Sequence, residues 1–371
     1  MMKTSLVQCS RLAFEHLESK QMLAGDVAIA VIDGNLLIKG DELGNQIAIT
    51  AGEEPGQYVI RGLDGTMLHR VASIDPVEPV LDSTAPPVSV LVVDGVRRNV
   101  RIGMGEGDDL VVLHDAGFRG NVGIGTDGGD DTVRVGVRVD SLTAAARPQL
   151  SDAIDGTPDR PSVVIRGNLT IATGDENDVV QIPSAQVVGH LRIGTGAGND
   201  RVNLGNALSA ATAEAVLEMP PVTVGRGTTV ELGAGTDGFV ASGVRSPQGV
   251  AVYGGEGRDE IVLRNVQAGA RLTVDSGPGQ VADYVALTRV ETRSALVKTG
   301  TGNDVVQIAD SAFGLLAVLL DDGDDKLSLR GVKSRATLLL GGDGEDTLTM
   351  LGENLLGIQF IHGFEHRGPA E

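Results

Sequence analysis

The chain has 371 residues, 41% of them hydrophobic, with 52 glycines, 14 prolines, six phenylalanines, three tyrosines and no tryptophan. This apolar content predicts a core of Val, Leu, Ile and Ala and excludes collagen-like and disordered chains, while the lone Cys9 excludes a disulfide framework. The formal net charge of −20 is the wrong sign for a nucleic-acid partner or an anionic membrane surface, and no apolar run is long enough for a transmembrane span.

Residues 1–26 are predicted to be a leader or a capping segment. They lack the run of about 7–15 apolar residues that defines an ordinary secretory signal peptide. Residues 11–27, RLAFEHLESKQMLAGDV, resemble the leader of large planctomycete surface and secreted proteins, although Ser-Lys stands where that leader has Pro-Arg in its Leu-Glu-Pro-Arg-like core. The resemblance implies export. The alternative is a short N-terminal helix whose Leu12, Phe14 and Leu17 cover the open end of the fold.

Residues 27–92 are predicted to hold degenerate copies of a repeat that is clearer further along, followed by a linker. The phrases DGNLLIKGDELGNQIAI and GQYVIRGLDGTML alternate apolar and polar residues as strands do. The stretch Val71–Val92 contains four prolines. It either divides the chain into two units or is one coil with a long excursion.

A short phrase recurs along residues 93–362, for example IGMGEGDDLVVL from Ile102 and LGGDGEDTLTM from Leu340. A decayed copy, ELGAGTDGFV, is aligned with Gly238 at the aspartate position. Most steps between copies are 21 to 24 residues, and the longer steps are assigned to insertions near 137–161 and 205–221. Alignment on the aspartate before each apolar run gives Asp109, Asp131, Asp178, Asp200, Asp259, Asp283, Asp304, Asp325 and Asp346.

This period predicts an all-β fold, a right-handed parallel β-helix with about 21–24 residues per coil. One coil is too short to bury its apolar side alone, but stacking each coil on the next buries a continuous column of aliphatic side chains. The handedness follows from the usual rule for parallel crossover connections. Residues 351–371, which carry Phe360 and Phe364, are predicted to be the C-terminal cap and tail.

The Gly-x-Gly-x-Asp turn has two interpretations. In the first it is structural, because glycine adopts positive φ readily and the aspartate can accept hydrogen bonds from nearby amides. In the second, stacked coils place successive aspartates about 4.8 Å apart, where their charges repel. Such a line of carboxylates invites Ca²⁺, which binds carboxylate and carbonyl oxygens.

The phrases GGEGRDEIV and GGDGEDTLT, from Gly254 and Gly341, resemble the hemolysin-type (repeat-in-toxin) nonapeptide GGxGxDxUx, whose stacked copies bind calcium. That family runs its nonapeptides in tandem, whereas this chain has one copy per coil. The contiguous set after Gly238 is expected to matter most, with Asp283 weakened by a two-residue insertion. The resemblance implies these calcium ligands: Asp109, Asp131, Asp178, Asp200, Asp259, Asp304, Asp325 and Asp346.

The predicted function is a non-catalytic structural or adhesive β-helix at the cell surface or outside the cell. Its expected cofactor is calcium, and its expected partner is a cell-surface polysaccharide or protein. The alternative is a polysaccharide lyase or glycoside hydrolase whose groove is walled by the two insertions. Tyr58, Tyr253 and Tyr284 lie too far apart in the sequence to indicate a sugar-binding platform. His362 and His366 are four residues apart beside Glu365, but this segment near the C-terminus is expected to be surface rather than a metal site.

Overall fold

A computed structural model of the chain describes residues 25–72, 86–137, 162–205 and 222–368. In these ranges the secondary structure consists of β-strands without a helix, and so none of the described segments is a helix that could cross a bilayer. The strands of successive coils pair in parallel, which confirms the predicted all-β parallel β-helix. The leader and most of both insertions lie outside the described residues.

The strands fall into four groups along the chain. The first six are β1 (Asp26–Ile32), β2 (Asn35–Lys39), β3 (Gln46–Ala51), β4 (Tyr58–Gly62), β5 (Met67–Arg70) and β6 (Val90–Val93). Up to the first insertion follow β7 (Val100–Gly103), β8 (Leu110–Leu113), β9 (Ala116–Phe118), β10 (Val122–Gly125) and β11 (Thr132–Val135). The next six are β12 (Val163–Ile165), β13 (Leu169–Asp175), β14 (Val179–Ile182), β15 (Ala185–Val187), β16 (Leu191–Ala197) and β17 (Arg201–Gly205).

The fourth group, after the second insertion, contains the longest strands. Its first eight members are β18 (Val222–Val224), β19 (Gly227–Gly235), β20 (Gly238–Ser242), β21 (Val244–Ser246), β22 (Gly249–Gly257), β23 (Glu260–Arg264), β24 (Gln267–Asp275) and β25 (Tyr284–Thr288). The last eight are β26 (Glu291–Lys298), β27 (Val305–Ala309), β28 (Ala312–Asp322), β29 (Lys326–Arg330), β30 (Lys333–Asp343), β31 (Thr347–Leu351), β32 (Leu355–His362) and β33 (His366–Gly368).

Each coil contributes one strand to a front column, running from β2 to β32, and one to a back column, running from β3 to β33. The pairing keeps like residues in line, so that Ile124 lies between Ile102 and Ile171. Inward-facing aliphatic residues alternate with outward-facing polar ones in strands such as β14 and β29. A single hydrophobic cluster extends from Val27 to Phe364. Each fully buried aliphatic side chain in it contributes about 1.5–3 kcal/mol.

The N-terminal region differs in part from the predicted degenerate coils. Strands β2 and β3 stack in parallel on β7 and β8, as a first coil should. Strand β1, however, pairs with β2 in the antiparallel sense, and β4 pairs in that sense with both β3 and β6. For β1 and β2 the physical reason is the tight turn Asp33-Gly34, in which both residues have positive φ, as a two-residue hairpin turn requires. Hairpins therefore cover this end of the β-helix.

The cross-section of the coil changes along the stack. Between β9 and β21, a short strand precedes each front strand and forms a third, side column. Both β21 and β22 pair with the single strand β24, so the side and front strands merge there. The register then shifts between Ala268 and Arg271, where the corner loses one residue. From β26 onward each coil has one long front strand and one back strand.

Candidate functional site

The aligned aspartates lie in one column, immediately before the back strands. The structure brings all nine together along this column and adds a tenth, Asp237. None of the ten is more than 3% exposed, although each belongs to a turn. The column is therefore inside the β-helix rather than on its outer edge.

A continuous hydrogen-bond ladder connects these aspartates. The backbone N–H of Asp109 donates to Oδ1 of Asp131 at 2.8 Å, and the N–H of Asp131 donates to Oδ1 of Asp178 at 2.9 Å. The same bond links every following pair, with N···O distances from 2.7 to 3.2 Å. At the N-terminal end of the ladder, the backbone N–H of Asn45 donates to Oδ1 of Asp109. At the C-terminal end, the carboxylate of Glu365 accepts the N–H of Asp346. Each coil is thus joined to the next through one side chain.

One detail of the sequence alignment was wrong. Strand pairing places Gly238 opposite Glu260, so Asp237, not Gly238, is the equivalent of Asp259. The copy that was judged decayed therefore keeps its carboxylate. Asp283, which was expected to be weakened by an insertion, donates to Asp304 and accepts from Asp259 like its neighbours. The two extra residues are accommodated in the turn before it.

The turn glycines allow the coils to approach closely. Gly255 has a φ of +114°, and a Cβ built there would lie 1.7 Å from the carbonyl oxygen of Gly233 in the previous coil. A side chain at this position is excluded both by conformation and by contact. Asp321 holds the corresponding place in its coil with a φ of 66°. The repeated glycines are therefore explained by the stacking of turns.

A second ladder runs along the exposed side of the turn, one residue before the aspartate, in two stretches that end at Thr236 and at Glu345. Here the N–H of Asn177 donates to Oδ1 of Asp130 in the previous coil at 3.0 Å. The N–H of Asn199 donates in the same way to Asn177. These bonds point toward the N-terminal coils, whereas the buried bonds point toward the C-terminal coils. Where both ladders are present, adjacent side chains tie a turn to both of its neighbours.

A third ladder of side chains lies before the front strands of the early coils. Asn99, Asn121 and Asn168 each accept an N–H from the coil that follows, at 2.8 to 2.9 Å. Asn35 begins this series by accepting from Asn99. Together the three ladders fix the register of the coils at two corners.

The second carboxylate oxygen of each buried aspartate has no hydrogen-bond partner. This holds for Oδ2 of all ten residues. The hydroxyl groups of Thr126 and Thr173 lie on the inner side of the turn and reach carbonyl oxygens of the next coil at 3.2 and 3.3 Å. They also lie beside Asp131 and Asp178, where they offset in part the effect of burial on the pKa of those two carboxyl groups. At Gly254, a Cβ would lie 2.2 Å from Oδ2 of Asp259, which places that oxygen against the inner side of the turn. An ionised carboxylate in such a position is costly.

Burial accordingly raises the pKa of every aspartate in the column. The pKa of Asp109 is raised to about 8, chiefly by burial, and hydrogen bonds from Asn45 lower it only in part. Burial raises the pKa of Asp131, Asp259 and Asp325 to about 7, and that of Asp178, Asp237 and Asp283 to about 6. It also raises the pKa of Asp200, Asp304 and Asp346. These directions favour the neutral acid near neutral pH.

The ladder offers few free oxygen ligands for a calcium ion. Calcium takes roughly six to eight oxygen ligands. Each coil offers one carboxylate oxygen that is free of hydrogen bonds, because Oδ1 already accepts an amide. In the described ranges no group of three or more His, Cys, Asp or Glu side chains is arranged to hold a metal ion. Calcium binding by these aspartates stays a prediction.

The structure does not gather the other residues considered for a site. Tyr58 is buried in the core, stacks on Phe118 and donates its hydroxyl to the carbonyl of Gly117. Glu365 is exposed, as expected, and its carboxylate also accepts the last hydrogen bond of the ladder, from the N–H of Asp346. Its place nineteen residues after Asp346 was the available signal, since it continues the period with a longer carboxylate.

Comparisons with protein-family models, curated proteins and solved structures found no match.

Proposed function

We propose that the protein is a non-catalytic structural or adhesive β-helix that acts at the cell surface or outside the cell. The observation that carries this proposal is the continuity of the stack, in which the buried aspartate ladder links the coils from Asn45 to Glu365. Such continuity gives a stiff scaffold whose outward-facing strand residues form extended, regular surfaces. Surfaces of this kind suit binding to a polymer or to a cell-surface protein.

Incubation with isolated cell-surface polysaccharides tests the proposal. The full-length protein is mixed with each polymer, and both retention of the protein and the chain length of the polymer are measured. We expect retention without shortening of the polymer. Release of reducing ends or of unsaturated sugar ends would instead support the alternative, a polysaccharide lyase or hydrolase of the same fold. Fractionation of the source cells, with an antibody against the protein, tests the proposed location.

The calcium prediction has its own test. Thermal unfolding is followed by circular dichroism at pH 8 in millimolar calcium, in magnesium and in chelator. Ligands that bind only the folded state raise the melting temperature. A rise specific to calcium that disappears in the double variant Asp304→Ala/Asp325→Ala would support binding at the ladder. Equal melting temperatures in all three conditions would assign the aspartates to structure alone.

A further inference from the structure

A groove of about 1000 Å³ lies on the outside of the corner where the side and front strands merge. Arg245, Arg293 and Arg335 line it, together with Glu291, the one carboxylate among the lining residues. Leu315 also lines the groove and is 55% exposed. A cationic groove is unexpected on a chain whose formal net charge is −20.

The stacking of coils determines the spacing of the arginines. The register places Gly314 between Arg293 and Arg335, one coil from each. The two guanidinium groups therefore start from backbone positions about 9.6 Å apart, which is twice the strand spacing. A Cβ on Gly314 would lie 2.4 Å from the carbonyl oxygen of Arg293, so this position remains without a side chain. The floor between the arginines is open as a result.

None of the three arginines forms an ion pair within the described residues, although ion pairs occur elsewhere, as between Arg330 and Asp310. Guanidinium groups bind carboxylate and sulfate oxygens in paired hydrogen bonds. From the coil of Arg245 to that of Arg335 there are four strand steps, or about 19 Å. The groove thus suits an extended anion that meets several arginines in succession.

We propose that this groove binds a carboxylate-bearing polysaccharide, a polyuronate, through Arg293 and Arg335. The exposed Leu315 supplies an apolar surface for the non-polar face of a sugar ring. An acidic peptide is less well matched, because the strands beneath the groove are paired on both sides and leave no edge for main-chain hydrogen bonds. Single-stranded nucleic acid lacks an aromatic platform here, since Phe313 is 5% exposed. The inference deepens the proposed adhesive role and rests on it.

The test measures binding of polygalacturonate to the full-length protein by titration calorimetry. We expect Arg293→Gln/Arg335→Gln to weaken binding by at least about tenfold, because each removes charge-assisted hydrogen bonds. The matched control is Arg166→Gln/Arg192→Gln, which removes the same charge from exposed positions outside the groove. We expect the control to bind as the unaltered protein does. All four positions are exposed, and circular dichroism verifies the fold of both variants.

Four outcomes would overturn the inference. They are no binding of polygalacturonate by the unaltered protein, equal binding by the groove variant, equal weakening in the control, and equal binding of dextran, polyglutamate or single-stranded DNA. None of these four binding results depends on whether the protein has catalytic activity. Release of unsaturated uronate products by the unaltered protein would contradict the proposed non-catalytic function, while loss of that release in the groove variant would still support the groove as the binding site.

Discussion

The column of buried aspartates shows how one residue serves both a turn and its neighbour. The side chain of Asp131 accepts the N–H of Asp109, while its backbone N–H is satisfied by Asp178. Without these carboxylates, the N–H of the aspartate just before each back strand would be buried without an acceptor. Leaving a buried donor unpaired costs about 1–3 kcal/mol.

A pair of adjacent substitutions tests this role. We expect Asp131→Ala to lower the free energy of unfolding by about 1–3 kcal/mol, because the N–H of Asp109 loses its acceptor away from water. Asp130→Ala should cost less than about 1 kcal/mol, since Asp130 is exposed and water can replace it. Urea denaturation measures both variants. Equal losses would show that burial is not what makes the inner column important.

At this scale the sequence predicted which residues share a column, but it did not predict whether their side chains are buried or exposed. Nine aspartates could be aligned because each precedes an apolar run at a fixed step. Their burial could not be foreseen, since turn carboxylates are usually solvated. Asp237 was missed because a glycine follows it where other copies have a larger residue. Strand pairing, which sets Gly238 beside Glu260, resolves the ambiguity.

At the scale of the element, the ends of the β-helix differ most from the prediction. The parallel coils follow from a period that repeats along the chain. The N-terminal hairpins do not repeat, and their local signal, Asp33-Gly34, was included within a degenerate coil. At the other end, two phenylalanines were assigned together to the cap. Phe364 is 6% exposed and belongs to the core, whereas Phe360 on the last front strand is 60% exposed.

This difference gives a prediction for the closing turn. We expect Phe364→Ala to destabilise the protein by about 3–5 kcal/mol, because it opens a cavity at the end of the core. Phe360→Ala should change stability by less than about 0.5 kcal/mol, as a substitution of an exposed side chain usually does. Thermal unfolding compares the two. A larger loss for Phe360→Ala would place the end of the core on the front strand.

For the whole molecule, the buried column should make stability depend on pH. The pKa of Asp131, like those of its neighbours, is raised above the ordinary value of 3.8. The folded state therefore binds protons that the unfolded chain releases. The stabilising contribution of these bound protons is complete below pH 3.8, the ordinary pKa of aspartate. It is lost as the pH rises through the folded-state pKa values of about 6 to 8.

We expect the melting temperature to be highest near pH 4 and to fall as the pH rises from there to about 8. Circular dichroism melts across this range measure it. Replacing Asp109, Asp131 and Asp259 by asparagine should flatten the decline, because the amide keeps an acceptor oxygen and cannot ionise. A melting temperature that rises from pH 5 to pH 8 would mean that the column is ionised in the folded protein.

The direction of the bonds between coils also determines how the molecule responds to force. The sheet hydrogen bonds and the turn ladders all run along the stacking direction, so a pull on the chain ends loads one coil boundary at a time. A terminal coil of 21 or 22 residues would peel away and release roughly 70–80 Å of chain before the next boundary bears the load. Such a protein lengthens in steps under tension, and the coils that remain stacked keep their structure.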